Sequence, residues 1–256
     1  MPLRTLVLTL ALMLTASGAE AQQDPKQSGP THLVIQYRCD PRQRAQLRRA
    51  MEERGLGQFE EWKANGILAE YHILFSRYVD INNWDMLALL AFRRFDDLSK
   101  WRHVERRSPA GLPADALALT SLVSTYPADL MRQKASLPAP PRPVYLVVPY
   151  TYSVSPAAYL QYVDDYVAPQ FDGWMREGIL TRYQLLVQRY TAARPWDSLI
   201  VLEYKDEESF GLREKTVARV RQELQTNPAW KAVSDNKQSV RVEKEAGIAE
   251  ELHAGR

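Results

Sequence analysis

QFEEWKANGILAEYHILFSRY, residues 58 to 78, returns as QFDGWMREGILTRYQLLVQRY at 170 to 190, and WDMLALL at 84 to 90 returns as WDSLIVL at 196 to 202. The offset is 112 residues throughout, without a gap. Fourteen of the 33 positions from 58 to 90 are identical, including Trp62/Trp174, Gly66/Gly178, Tyr71/Tyr183, Trp84/Trp196 and Asp85/Asp197. Unrelated segments of ordinary composition match at roughly one position in fifteen. The chain is therefore an internal duplication, and its architecture is two copies of one unit.

A chain of 256 residues suits two domains of ordinary size, each with its own core. The start, MPLRTLVLTLALMLTASGAEAQQDP, has one basic residue, Arg4, an uncharged apolar run from Leu6 to Leu14, and small residues ending in Ala19-Glu20-Ala21. That is the pattern of a secretory signal, residues 1–21, with cleavage after Ala21; the run is too short for a membrane anchor. A periplasmic or secreted location is expected. Cys39 is the single cysteine, so no disulfide can form within the chain, although its thiol could link two chains. Lys plus Arg at 33 against Asp plus Glu at 31 gives a net charge of +2, which implies no field for nucleic acid or anionic membrane.

Taken in order, HLVIQYR (32–38) reads as a strand and Asp40-Pro41 as a helix start. The helix ends at Gly66. A hairpin follows from 67 to 92, then a helix, then a strand at 116 to 126. The second unit repeats the script from VYLVVPY (144–150), through Ser155-Pro156, to a long helix stopped by Asn227-Pro228 and a last strand, QSVRVEK, at 238 to 244. The expected organisation is a first unit over 31–130, a Pro-rich linker over 131–143, a second unit over 144–244 and a frayed tail over 245–256. Each unit reads βαββαβ, the ferredoxin-like arrangement with both helices on one face of an antiparallel sheet. The bare faces can cover each other, so the fold class is α+β, two tandem ferredoxin-like units closing a pseudo-dimeric α/β barrel. The pattern W-x3-GIL-x2-Y-x2-L-x2-RY followed by WD resembles the dimeric α/β-barrel superfamily, NIPSNAP-like proteins in particular. That resemblance implies a barrel shared by heme-binding enzymes, cofactor-free monooxygenases and small-ligand binders; it carries over no catalytic motif.

Alternation along the first hairpin strand separates Ile67, Ala69, Tyr71, Ile73, Phe75 and Arg77 from Leu68, Glu70, His72, Leu74, Ser76 and Tyr78. The first set, with Ile179, Thr181, Tyr183, Leu185, Val187 and Arg189, is the more apolar and is assigned to the helices. The mixed set, with Leu180, Arg182, Gln184, Leu186, Gln188 and Tyr190, faces the space between the units, joined by His32, Gln36 and Arg38 of the entering strand. Candidate catalytic residues are His72, Glu70, Arg38 and Tyr78, with His72 the best single candidate for a general base or a ligand because its ordinary pKa lies near neutrality. Candidate ligand-binding residues are His32, Gln36, Arg182, Gln184, Gln188 and Tyr190. His32, His72, His103 and His253 show no metal-ligand spacing, and no metal is expected. The repeated Arg77, Tyr78, Trp84 and Asp85 are assigned to structure, with Arg77 and Asp85 as a salt bridge across the hairpin.

The residues therefore describe an exported, monomeric barrel that binds a small molecule, without a catalytic set and without a cofactor. The rival reading is an oxygenase-type enzyme, cofactor-free or heme-dependent, acting on a small hydrophobic or aromatic substrate between the units. Export has a direct test. N-terminal sequencing of protein recovered from the periplasm or medium is expected to begin at Gln22, whereas retention of Leu6 to Leu14 in that fraction contradicts the signal assignment.

Overall fold

The structure is a computed structural model that describes residues 29–136 and 140–253. The signal sequence expected at 1–21 lies outside the described residues. The first unit runs β1 (His32–Cys39), α1 (Arg44–Ala50), α2 (Leu56–Ala64), β2 (Glu70–Ser76), β3 (Met86–Ala91), α3 (Asp97–Glu105), α4 (Ala114–Ala118) and β4 (Thr120–Ala135). The second runs β5 (Val144–Tyr152), α5 (Pro156–Tyr162), α6 (Ala168–Arg176), β6 (Leu180–Gln188), β7 (Ser198–Tyr204), α7 (Glu207–Gly211), α8 (Arg213–Leu224), α9 (Pro228–Asn236), β8 (Arg241–Glu243) and β9 (Gly247–Glu251).

Local chemistry sets the helix ends. The Asp40 carboxylate accepts from the Arg42 N–H at 2.9 Å and the Ser155 hydroxyl from the Ala158 N–H at 3.2 Å, each just before proline. Gly66 and Gly178 stop α2 and α6 with φ of 68° and 77°, a left-handed conformation that side chains with a Cβ resist. Between α1 and α2, and again between α5 and α6, the helix opens into one π turn, Met51–Gly55 and Val163–Val167, at the same 112-residue offset. Asn227-Pro228 ends one helix and also begins another, since the Asn227 side chain caps α9 through the Ala229 N–H at 3.0 Å.

The strands form one closed antiparallel ring in the order β7-β6-β4-β1-β3-β2-β9-β5 and back to β7, with β8 continuing alongside β5 where β9 leaves it. Equivalent strands lie four places apart in this ring and run in the same direction, so the pseudo-twofold axis runs along the barrel. Two seams join the units. At one, β4 runs on from its pairing with β1 to pair with β6. At the other, β9 pairs with β2.

These seams correct the linker and the tail. Residues 131–135 are strand, so the connector is shorter than the 131–143 expected, and 116–118 are helical rather than strand. The tail expected to fray contains β9, held between β2 and β5. Its alternation is weak because it has only five residues. Its first, Gly247, must be glycine for space: a Cβ there would sit 2.7 Å from the Trp84 ring.

Three cores result. One lies between the first sheet and its helices, one between the second sheet and its helices, and one inside the barrel around Trp84, Trp196, Tyr126 and Tyr145. Ile73, Phe75, Leu185 and Tyr183 lie on the helix side, as expected from alternation, and Leu74 and Leu186 point into the barrel. Leu68 and Leu180 break the pattern and join the helix-side cores. Leu68 precedes β2, and a register shift between Leu180 and Arg182 resets the alternation of β6.

The repeated Asp85 and Asp197 are structural. Each accepts the backbone N–H at the end of the unit's first strand, Cys39 at 2.8 Å and Tyr152 at 3.0 Å. The Arg77–Asp85 bridge does not form: Asp85 pairs with Arg44, whose other nitrogen donates to the Ser76 carbonyl at 2.6 Å, and Arg77 reaches Glu207 at 2.6 Å. Arg44 comes from the helix, which the hairpin register alone could not indicate. Cys39 is buried, with its thiol pushed up to about 12 by burial and by Asp85, which disfavours a link between chains.

Ending the chain at Glu245 should leave the edges of β2 and β5 unpaired. Size-exclusion chromatography is expected to show association or aggregation, and a monomer with unchanged Tm would show that β9 is dispensable. Tyr183→Ala should cost about 3–5 kcal/mol in chemical unfolding and Tyr71→Ala less, because Tyr71 is only partly buried.

Candidate functional site

At the barrel end where β1, β2, β5 and β6 begin, polar side chains replace the apolar filling. Glu70 opens β2 and Arg182 stands at the same position of β6, 112 residues later. Because they are pseudo-symmetry mates in contact, they meet beside the axis. Arg182 Nη1 and Nη2 donate to Glu70 Oε1 and Oε2 at 2.8 and 3.0 Å, a two-pronged fork. His72 sits between two carboxylates, Nδ1 at 2.7 Å from Glu251 Oε1 and Nε2 at 3.1 Å from Glu70 Oε1. The Tyr145 hydroxyl lies 2.8 Å from Glu251 Oε2 and 3.2 Å from Glu203 Oε2, and Thr181 donates to Glu203 Oε1 at 2.7 Å.

This geometry sets the charges. Burial alone would lower the His72 pKa, but the hydrogen bonds to Glu251 and Glu70 outweigh it and raise it to about 9. His72 is thus an imidazolium at neutral pH with both N–H groups donated. The 3.2 Å approach of Arg182 Nη1 to His72 Nε2 is then two donors converging on one Glu70 oxygen. Glu70 is held well below the carboxylate range, first by His72 and then by Arg182. Glu251 is also lowered, since its bonds to His72 and Tyr145 overcome burial. His32 goes the other way: burial, aided by Arg182 and opposed by Glu70, lowers it to about 4, so its ring is neutral.

The candidate base is therefore corrected. A histidine already protonated and doubly hydrogen-bonded has no lone pair to accept a proton. Of the residues singled out from sequence, His32, Glu70, His72 and Gln184 line with Leu89, Ala91 and Leu186 a space of about 10 Å³, room for about one water, and Arg182 joins them through Glu70. The rest do not join them. Tyr78 and Tyr190 are 65% and 63% exposed in the hairpin loops at the opposite end. Arg38, at the far end of β1, lines a separate depression with Val79, Asp80 and Ile81. Gln188 donates to the Trp196 carbonyl at 3.0 Å, also at that end, and Gln36 lies half-buried further along β1.

Sequence reasoning missed Glu251, Tyr145 and Glu203. Their signal lay in the repeat. Tyr145 pairs with Glu203 as His32 pairs with Ala91, so the first strands align at an offset of 113 and Tyr145 is the counterpart of His32. Glu251 was hidden because it sits in the tail.

Beyond the network lies a cleft of about 580 Å³, lined by Arg48, Glu52 and Arg77 of the first unit and by Arg142, Pro143, Val144, Asp206, Glu207, Glu208, Glu250, Glu251 and His253. Glu251 belongs to both. One carboxylate oxygen holds the buried His72 and the other Tyr145, while the residue borders the cleft. Six carboxylates face three arginines, and two of those arginines are already paired, Arg48 with Glu52 and Glu250, Arg77 with Glu207. Among the described residues, no group of three His, Cys, Asp or Glu could hold a metal ion, and no helix is long and apolar enough to cross a membrane.

Solved structures share this architecture. A provisionally assigned monooxygenase from Fusobacterium nucleatum aligns with a TM-score of 0.54 at 13% identity over 88% of this chain and 93% of its own. An anthrone oxidase-like protein gives 0.53 at 12% over 90% and 94%. The fold is the dimeric α/β barrel. A provisionally assigned chlorite dismutase gives 0.51 at 12% over 89% and 96%. At these identities the likeness concerns the fold alone. No family model and no curated protein matches the chain.

The pH response follows from His72. Its pKa is higher in the folded state than the ordinary 6.5, so its stabilisation is fully present below about pH 6.5 and lost as pH rises through about 9. Glu70 and Glu251 act oppositely, stabilising above the ordinary carboxylate range and losing this as pH falls. Urea unfolding of wild type should therefore weaken between pH 6.5 and 9 by on the order of 3 kcal/mol at most, and His72→Gln should flatten that limb. An NMR-titrated His72 pKa near 6.5 would contradict the clamp.

Proposed function

We propose that the chain is an exported, monomeric barrel protein that binds a small, positively charged ligand, such as an amine or guanidine, in the cleft fronted by Glu251. The carrying observation is that Glu251 borders a 580 Å³ cleft rich in carboxylates, and its own carboxylate is held in the ionised form by His72 and Tyr145. The volume suits a small ligand. The excess of carboxylates favours a cation, and the network behind Glu251 keeps its charge fixed in place.

The oxygenase reading draws support from the fold shared with proteins described as monooxygenases. The residues support it less. Neither histidine of the network suits the role of a substrate-deprotonating base, as His72 is already protonated and His32 is lowered to about 4. Heme fits neither space. The space beside His32 and His72 is about 10 Å³, and the cleft would set an apolar macrocycle with two carboxylates against six more.

Calorimetric titration with a panel of small amines, guanidines, carboxylates and sugars tests the proposal. A cationic ligand should bind, and Glu251→Gln or Glu208→Gln should weaken it roughly 10- to 100-fold, the scale of one charge-assisted contact. Preferential binding of anions or sugars would overturn it, and a Soret band in the purified protein would favour the heme reading. Sizing at the mass of one chain, with and without reductant, is expected; twice that mass would contradict the internal pseudo-dimer.

A further inference from the structure

The acidic cleft also holds a cation that its carboxylates do not neutralise. Arg48 is shared between Glu52 and Glu250, and Arg77 is paired with Glu207. Arg142, the third arginine lining the cleft, forms no ion pair among the described residues. It is exposed and stands two residues before Val144, which opens β5 and pairs with Tyr204, the last residue of β7. Asp206 stands two residues beyond Tyr204, so Arg142 and Asp206 flank the same rung of the ladder. No bridge joins them: the Asp206 carboxylate instead accepts the Ser209 N–H at 2.8 Å and caps α7. Glu208, two residues further on, lines the same cleft and is likewise without an ion pair among the described residues.

The other seam between the units supplies an internal comparison. There β4 brings Arg132 and Lys134 against the second unit, and both are paired, Arg132 with Asp164 at 2.6 Å and Lys134 with Asp172 at 2.7 Å. Asp164 is the counterpart of Glu52 at the 112-residue offset. The scaffold therefore can neutralise the cations at a seam, and at Arg142 it does not.

Opposite charges that share one cavity without meeting match a ligand carrying both signs. We propose that the cleft takes a cationic amino acid, its carboxylate on Arg142 and its positive groups toward Glu208 and Asp206. This rests on the cation-binding reading of the cleft and narrows its ligand class. A guanidinium presents paired N–H donors to a carboxylate, which a point charge does not. Even with the Glu251 carboxylate committed to His72 and Tyr145, carboxylates in the cleft outnumber arginines, so a ligand of net positive charge is preferred to a neutral zwitterion. The volume of about 580 Å³ accommodates an amino acid of this size.

Calorimetric titration of the purified chain with arginine, argininamide and agmatine tests this. The three share a guanidinium and an amine, and only arginine has a carboxylate. An acidic field by itself favours agmatine and argininamide, which lack the negative charge, so a preference for arginine reports the Arg142 contact. Arginine should bind about 3- to 10-fold more tightly than either analogue, the scale of one ion pair at a partly exposed site. Arg142→Gln should abolish or reverse that preference and should tighten agmatine, because a like charge has been removed. Agmatine binding as tightly as arginine in wild type, or a preference for arginine that survives in Arg142→Gln, overturns the proposal and leaves the cation-binding cleft standing. Failure of all three to bind overturns both.

Discussion

Everything in this molecule follows from the bare face of a four-stranded antiparallel sheet. Both helices of a βαββαβ unit pack on one side, and the other side remains apolar enough to require a cover. The second unit supplies it, and closure of the ring leaves neither sheet with an open edge between the units. Trp84 and Trp196, repeated just before the second strand of each hairpin, fill the enclosed space from the two sides of the axis. The aspartate after each tryptophan fixes the hairpin to the end of the unit's first strand.

Fusion of the two units into one chain changes what can stand at the axis. In a dimer of identical chains the two residues meeting there are the same, so a carboxylate would face a carboxylate. Here the first copy contributes Glu70 and the second Arg182, and the like-charge contact becomes an ion pair. The same divergence gives His72 opposite Gln184 and His32 opposite Tyr145. The polar network is therefore asymmetric although the scaffold is not. A buried network of this kind is satisfied only if every partner is present, which couples the first unit, the second unit and the C-terminal strand.

That coupling also locates function. Interior positions nearer the tryptophans are filled, and the end with the network is the one that borders the acidic cleft. Chemistry at this end is a matter of fixed charge. His72, protonated at neutral pH, stands between Glu70 and Glu251 and holds the Glu251 carboxylate in place.

The sequence by itself determined the duplication, the ferredoxin-like units, the helix caps at Asp40, Ser155, Gly66 and Gly178, and the two faces of the hairpin strands. These are local matters: period-two alternation, capping chemistry and an ungapped 112-residue repeat. It also brought Glu70, His72, Arg182, Gln184 and His32 to one face, because alternation assigns faces without knowledge of the partner strand. Only the tertiary structure decided that Arg38, Tyr78 and Tyr190 lie at the other end, since position along the barrel depends on strand direction around the closed ring. It alone recruited Glu251, because a five-residue strand such as β9 is stable only between β2 and β5. And it alone gave His72 its charge, since a histidine's protonation state depends on the groups within hydrogen-bonding distance, and here these are two carboxylates, 2 and 179 residues away in the chain.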